Sequence, residues 1–345
     1  MYIILIDSGT TNTRIRLLRE NETTVEDIEK VQVGVRNTAI EGTNETLKKH
    51  LYSGIGTILK RNGLQPSDIK YVIASGMITS NLGLYEVPHI NGPAKVEDFS
   101  KRSIVIKMDE FFDLIWIFTP GLKNNPMVAD ITEEINKFDI MRGEEVETIG
   151  LLKQFDVQGK GVVILPGSHT KFIFISEDKA LEYCLSTLGG ETIYAIQQGT
   201  ILSSSLHDEI INVVDEKRMY QGFKATEKYG LTRSFYHIRL LQMFSELTDN
   251  ELANYYVGSI LYSDLKSLQS TISESDIKWI IVGGAEPLRS SFTFLVDRMY
   301  SNLNIIKPND EQIEKAIVLG PKIISASIKN INQSEFGGET NEEQK

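Results

Sequence analysis

The sequence predicts an α/β chain of two related halves, each a mixed sheet with helices on its faces. Three observations predict it. An apolar run, Tyr2-Ile3-Ile4-Leu5-Ile6, stops at Asp7-Ser8-Gly9-Thr10-Thr11-Asn12, and a second strand pattern starts at Thr13. A looser copy returns at Val162-Val163-Ile164-Leu165-Pro166-Gly167-Ser168-His169-Thr170-Lys171. After each copy, helical and strand patterns alternate. At 345 residues the chain has room for two domains. The spacing of the copies is too long for a solenoid and fits duplication of a whole domain.

The elements follow in order. Residues 2–7 and 12–18 read as a hairpin, whose outgoing arm sets Ile15 and Leu17 against Arg14 and Arg16. Residues 31–35 read as a third strand. Leu47, Leu51, Ile55, Ile58 and Leu59 recur at helical spacing after a start at Thr43-Asn44-Glu45-Thr46, and Gly63 ends that helix. Residues 70–75 form a strand running into Gly76. The stretch 85–130 is turn-rich, with 104–108 and 114–118 as pairing strands. A helical pattern covers 131–152, the second hairpin 161–176, a helix 192–206, and a long helical stretch 228–269. Trp279-Ile280-Ile281-Val282 is a buried strand stopped by Gly283-Gly284, and a helix-like segment closes the fold at 316–328. The expected domains are 1–138 and 139–329, with the helix near 316–329 packing back on the first. The polar tail 330–345 is expected to be disordered.

Composition excludes several classes of partner. The net charge of −11 disfavours nucleic acid and anionic membranes, though a local pocket can still take a small anion. The single cysteine, Cys184, permits no internal disulfide and reads as a core thiol, with no base or cation beside it to activate it. No apolar run approaches the ~20 residues a membrane span needs. The opening YIILI is too short for a signal-peptide core. The expected location is the cytoplasm.

The two turns carry the chemistry. Gly9 allows a sharp turn or close approach of a phosphate, and Thr10, Thr11 and Asn12 add donors. Asp7 can hold Mg²⁺ through water, since hard cations prefer oxygen ligands. Such residues also build ordinary turns, so the duplication is what favours a nucleotide. In the second turn Gly167, Ser168 and Thr170 repeat the small-hydroxyl pattern. Lys171 adds a cation, and His169 is either a phosphate donor or a turn residue. No Walker A or dinucleotide-binding glycine pattern is present. In Met141-Arg142-Gly143-Glu144-Glu145, Arg142 offers a planar fork to a substrate carboxylate, and Glu144 or Glu145 can accept a proton from a hydroxyl. Acids at a helix start also occur for dipole reasons alone. Gly283 and Gly284 leave room for a flat ring. The small, polar segment after the strand at 70–75, including Ser75, Gly76, Met77 and Ser80, suits the floor of a polyol site.

These residues resemble the 2-dehydro-3-deoxygalactonokinases, sugar-acid kinases of the superfamily that joins actin-like ATPases, sugar kinases and heat-shock chaperone ATPases. The resemblance runs from Asp7 to about Lys322. It rests on DSGTTNTR at 7–14, on ASGMITSNLG at 74–83 with Glu86, Pro88, Pro93 and Ala94, and on MRGEE at 141–145. LPGSHTKF at 165–172, Gly190-Glu191 and VGG at 282–284 complete it. Three positions depart: Phe172 stands where the family usually has Trp, and Asn81-Leu82 where it usually has Arg-Gln.

The resemblance implies a two-lobed, actin-like (ribonuclease H-like) α/β fold with ATP and Mg²⁺ in the cleft between lobes, both turns converging on one triphosphate. Asp7, Gly9, Thr10, Thr11 and Asn12 would contact phosphate or metal from one lobe. Gly167, Ser168, His169 and Thr170 would do so from the other, while Gly283 and Gly284 would border adenine. The implied reaction phosphorylates the terminal hydroxyl of 2-dehydro-3-deoxy-D-galactonate or a close sugar acid. The base is Glu144 or Glu145, with Asp7 assisting, and Arg142, Ser75, Gly76, Met77 and Ser80 face the substrate. A kinase for another sugar, and a non-catalytic nucleotide sensor on the same scaffold, are the alternatives. The oligomeric state is open, a homodimer being one option.

Overall fold

The hairpin forms as its pattern predicts. Tyr2–Ser8 (β1) pairs antiparallel with Thr13–Arg19 (β2), placing Asp7 opposite Arg14 and Ser8 opposite Thr13. These assignments come from a computed structural model describing residues 1–206, 211–272 and 277–328. The expected disordered tail lies outside the described residues. β1 is apolar without alternation because both faces of its sheet are covered. Ile4 and Ile6 enter one buried cluster, and Ile3 and Leu5 enter another with Val318.

The third strand lies earlier than expected. Val25–Val31 (β3) is the edge strand, and Val33 drops into the core just before a helix starts. β3 is half charged, so apolar pattern could not find it. Its charges are used in ion pairs, Glu26 with Arg19 at 2.6 Å and Asp27 with Arg61 at 2.7 Å. Val35–Glu41 (α1) and Glu45–Arg61 (α2) follow, α2 burying Leu47, Leu51, Ile55, Ile58 and Leu59. Gly63, at φ +64°, reverses the chain after α2. Ile69–Gly76 (β4), Ile90–Asn91 (β5), Val96–Arg102 (α3), Ile104–Met108 (β6), Leu114–Phe118 (β7) and Leu122–Asn124 (β8) come next. β6 and β7 pair antiparallel as expected.

The helical pattern expected over 131–152 is realised only in its second part. Asp139–Met141 (β9) is extended, Gly143 at φ +113° breaks the chain direction, and Glu144–Gln154 (α4) is the helix. Gly161–Leu165 (β10), Thr170–Ile175 (β11) and Leu181–Thr187 (β12) make the second hairpin and its neighbour. Gly189–Gly199 (α5) is shorter than the expected 192–206 helix, whose end becomes a 3₁₀ turn at Ile201–Ser204. The stretch 228–269 is three helices, Glu216–Tyr229 (α6), Leu231–Phe244 (α7) and Asp249–Thr271 (α8). Gly230 at φ +83° separates the first two. Thr248 starts α8 in a capping box with Glu251. Trp279–Val282 (β13), Leu288–Met299 (α9), Asn304–Ile306 (β14) and Asp310–Ala326 (α10) complete the described chain.

The chain groups into two units, one of residues 1–123, 141–153 and 314 onward, the other of 124–140 and 154–313. Thus 141–153 and 314–326 group with the first unit, where the sequence suggested one boundary at 138/139 for the former. In the first unit the sheet order is β3-β2-β1-β4-β7-β6, with β1, β4 and β7 parallel. In the second it is β12-β11-β10-β13-β14, with β10, β13 and β14 parallel. Each sheet runs from third strand to second to first and then to two later parallel strands, with β6 added antiparallel at the end of the first, so the duplicated hairpin belongs to a duplicated sheet. In the first unit α4 and α10 cross closely. A Cβ at Gly150 would lie 2.0 Å from the Ala316 carbonyl oxygen, and one at Gly320 would lie 1.9 Å from that of Val146.

Candidate active site

In the first unit the ends of β1 and β4 and the start of α4 meet. A Cβ on Gly76 would come 2.6 Å from the Ser8 carbonyl oxygen and 3.2 Å from Asp7 Oδ1, and one on Gly143 would come 3.1 Å from Gly76 Cα. Only glycine allows this approach, and Gly76 at φ +80° needs it for its backbone as well. The contacts bring Asp7, Gly76 and the Arg142-to-Glu145 segment into one neighbourhood.

The first turn is held from behind and open in front. Gly9 N–H donates to Asn12 O at 2.9 Å, closing the turn. The start of α1 caps its back: Arg36 N–H donates to Thr10 O at 2.9 Å and Val35 N–H to Gly9 O at 3.4 Å. Gly34 makes this possible, since a Cβ there would lie 2.5 Å from Thr10 O. Engaging those carbonyls turns negative dipoles away from an approaching anion, while Thr10, Thr11 and Asn12 stay exposed. Beneath them Ser8 Oγ meets Thr13 Oγ1 at 2.8 Å, and Thr13 donates to Val33 O.

Asp7 keeps 37% of its side-chain surface accessible and lies 3.7 Å from Arg14. Burial of the surrounding site raises its pKa, while Arg16 and then Arg14 pull it down. Among the described residues no cluster of three or more His, Cys, Asp or Glu could cage a metal. A lone carboxylate at a strand end fits Mg²⁺, which keeps several of its own waters.

Arg142 is engaged within the protein. Its Nη1 donates to Thr79 O and Oγ1, both at 2.6 Å, and its Nη2 to Val87 O at 2.9 Å and His89 Nδ1 at 3.1 Å. Both terminal nitrogens thereby brace the 77–89 loop, and burial lowers the pKa of the guanidinium. Ser75 is buried. The Ser80 hydroxyl donates to Met77 O at 2.7 Å and accepts from Leu82 N–H, so it shapes this loop. Sequence reasoning assigned no role to Thr79, although it lies within the 74–83 motif, and missed His89, which belongs to none.

The two glutamates differ sharply. Glu144 is half-buried, with Oε2 accepting from Arg142 N–H at 2.9 Å. Glu145 is fully buried, and both its oxygens accept from Gly143 N–H, at 2.8 and 2.9 Å. Burial, with Glu144 beside it, raises the Glu145 pKa from 4.5 to about 8.

In the second unit the other turn has the same plan. Gly167, Ser168 and His169 are exposed, and the start of α5 caps the back. Glu191 N–H donates to Ser168 O at 2.9 Å, and a Cβ on Gly190 would lie 2.0 Å from Gly167 O. His169 Nε2 sits 3.4 Å from Glu191 Oε1. Gly283 and Gly284 join this neighbourhood: Gly283 N–H donates to Ile164 O at 2.8 Å, and a Cβ on Gly284 would lie 2.7 Å from Pro166 O. Lys171 faces elsewhere. Strand alternation puts it opposite Thr170, and its buried ammonium donates to Ile140 O at 2.8 Å and Ser186 Oγ at 2.6 Å. Ser186 in turn pairs with Asp139. The larger described cavity, about 410 Å³ among α6, α7 and α8, is lined by none of the expected site residues. Cys184 is a buried thiol outside any disulfide, and no described helix is long and apolar enough to cross a membrane.

Comparison with known proteins adds to this geometry. The family model described as 2-keto-3-deoxy-galactonokinase matches residues 7–313. No curated protein sequence gives a match. A crystal structure from Sinorhizobium meliloti, named by assignment as a 2-dehydro-3-deoxygalactonokinase, superposes with TM-score 0.71 at 17% identity, covering 92% of this chain and 95% of that one. Lower similarity is found to the activator of 2-hydroxyisocaproyl-CoA dehydratase from Clostridium difficile with bound ADPNP (TM-score 0.47, 13% identity, 96% and 100% covered). At 17% identity the likeness to the Sinorhizobium meliloti structure concerns the fold alone, the two-lobed α/β fold that the motifs led us to expect.

Proposed function

The chain belongs to the 2-keto-3-deoxy-galactonokinase family and is a carbohydrate kinase, and from that premise we propose how its residues divide the work. ATP donates a phosphoryl group to the terminal hydroxyl of 2-dehydro-3-deoxy-D-galactonate or a close sugar acid. The observation that carries this reading is the meeting of Asp7, Gly76 and Gly143, which sets a phosphate-side carboxylate beside the segment bearing Glu144.

Phosphoryl transfer needs charge neutralisation and in-line placement more than covalent chemistry. Exposed donors of Thr10, Thr11 and Asn12, and of Gly167, Ser168 and His169, hold the phosphates, Gly9 leaves room for a phosphate to approach the backbone, and Gly283 and Gly284 border the adenine. Asp7 would hold Mg²⁺ through water, and the ion would supply positive charge to the phosphate oxygens. Glu144 takes the hydroxyl proton, because its carboxylate is reachable whereas that of Glu145 is not. Arg142 acts by fixing the loop that includes Met77 and Ser80, which with Ser75 and Gly76 floors the sugar-acid site. Lys171, committed to Ile140 and Ser186, supports the second hairpin.

The test is ADP release with a panel of 2-keto-3-deoxy acids, aldonates and neutral sugars, with and without Mg²⁺. Turnover is expected with 2-keto-3-deoxy acids and only with Mg²⁺. Turnover with neutral sugars alone would overturn the substrate class and leave the fold untouched. ATP binding without any acid-stimulated turnover would favour the sensor reading.

A further inference from the structure

One buried carboxylate belongs to no motif. Asp264 lies on α8, among the apolar residues Leu261, Leu265 and Leu268, and is only 4% exposed. Its Oδ2 accepts a hydrogen bond from Thr170 Oγ1 at 3.0 Å. It also rests against the first residue of α5, where a Cβ on Gly189 would lie 2.0 Å from Oδ2. Thr170 opens β11 immediately after the second turn, and Thr187, at the end of β12, is its register partner. The next residue of α5 is Gly190, which touches Gly167, followed by Glu191, whose N–H holds Ser168. Asp264 therefore sits under both roots of the turn, the strand that leaves it and the helix that backs it. A buried carboxylate is costly unless hydrogen-bonded; here the Thr170 hydroxyl supplies such a bond, while burial lifts the pKa to about 6.

We propose that Asp264 is a positioning residue for the second phosphate turn, fixing Thr170 and the start of α5 so that Gly167, Ser168 and His169 present their donors to the nucleotide. The inference rests on the kinase reading above and adds a residue to it. It also assigns the Thr170 hydroxyl. With its proton given to Asp264, Thr170 serves the ligand through its backbone, and its side chain serves the scaffold.

The experiment measures KM for ATP and for the sugar acid separately in the full-length protein, with thermal melting alongside, for Asp264→Ala, Asp264→Asn and Thr170→Val. The expected result is a KM for ATP raised about tenfold in Asp264→Ala and Thr170→Val, roughly 1.4 kcal/mol. KM for the acid should stay near wild type, and Asp264→Asn, which can still accept from Thr170, should recover most of the loss. The Asp264→Ala/Thr170→Val double variant should be no worse than Asp264→Ala alone, since the Thr170 hydrogen bond is already lost there. If Asp264→Ala does not fold, Thr170→Val and Asp264→Asn decide. A KM for ATP unmoved in Thr170→Val, or both KM values shifted alike, overturns the proposal. Absence of ATP- and acid-dependent turnover in the wild type would instead overturn the parent reading.

Discussion

Glu144 and Glu145 are adjacent in sequence and nearly alike in chemistry, yet the start of α4 gives them different work. Position in the helix decides which carboxyl reaches a substrate hydroxyl. Glu144→Gln is expected to lower kcat roughly 10²- to 10⁴-fold, the usual share of a general base, with KM for ATP little changed. Glu145→Gln should be far milder, and equal losses would remove the distinction. Glu145 also predicts a pH effect on stability. Its folded pKa of about 8 lies above the ordinary 4.5, so between those values the folded state holds a proton the unfolded state has released. The stability it contributes is complete below pH 4.5 and lost as pH rises through about 8. Melting curves from pH 5 to 9 should fall more steeply for wild type than for Glu145→Gln, by on the order of a few kcal/mol. Parallel curves would show that Glu145 is not perturbed as its burial implies.

The elements around the turns show the same device twice. In each unit a glycine lets a helix start press on the turn and engage its carbonyls, Gly34 against Thr10 and Gly190 against Gly167. Gly190→Ala should displace the second turn and raise KM for ATP several-fold. Gly199→Ala, at the other end of the same helix where a Cβ would meet nothing within 4 Å beyond its own helix, should leave kinetics unchanged and stabilise by up to ~1 kcal/mol. Both turns were legible in sequence because small residues interrupt apolar runs at both places, and their duplication set them apart from ordinary turns. What backs them was less legible: Gly34 and Gly190 matter through contacts with residues they do not adjoin. Lys171 shows how residue type misleads, since a cation beside a phosphate-type turn suggests a phosphate contact. The alternation that sends it to Ile140 and Ser186 was readable from the strand pattern. Arg142 was found by motif, but its acceptors at Thr79, Val87 and His89 lie in a loop whose folding no local pattern describes. Asp264 left one faint mark, an acid on the apolar face of α8.

At the scale of the whole molecule, the duplication makes a claim that no single turn can make. If one nucleotide uses donors from both hairpins, its binding energy stabilises both units together, since a ligand bound only by the folded state shifts unfolding by mass action. At a hundred times Kd that amounts to about 2.7 kcal/mol, a shift of several degrees in the melting of a protein this size. Mg²⁺ and ADP should therefore raise the melting temperature of the wild type. Thr10→Ala in the first turn and Ser168→Ala in the second should each cut that shift at a fixed ADP concentration, because each weakens the same Kd. Both side chains are exposed, so neither substitution should move the ligand-free melting temperature by much. The decisive outcome is asymmetry. A shift lost in Thr10→Ala and fully kept in Ser168→Ala would mean that the first turn alone holds phosphate. The second hairpin would then be a structural relic of the duplication, and Asp264 would brace a turn with nothing to bind.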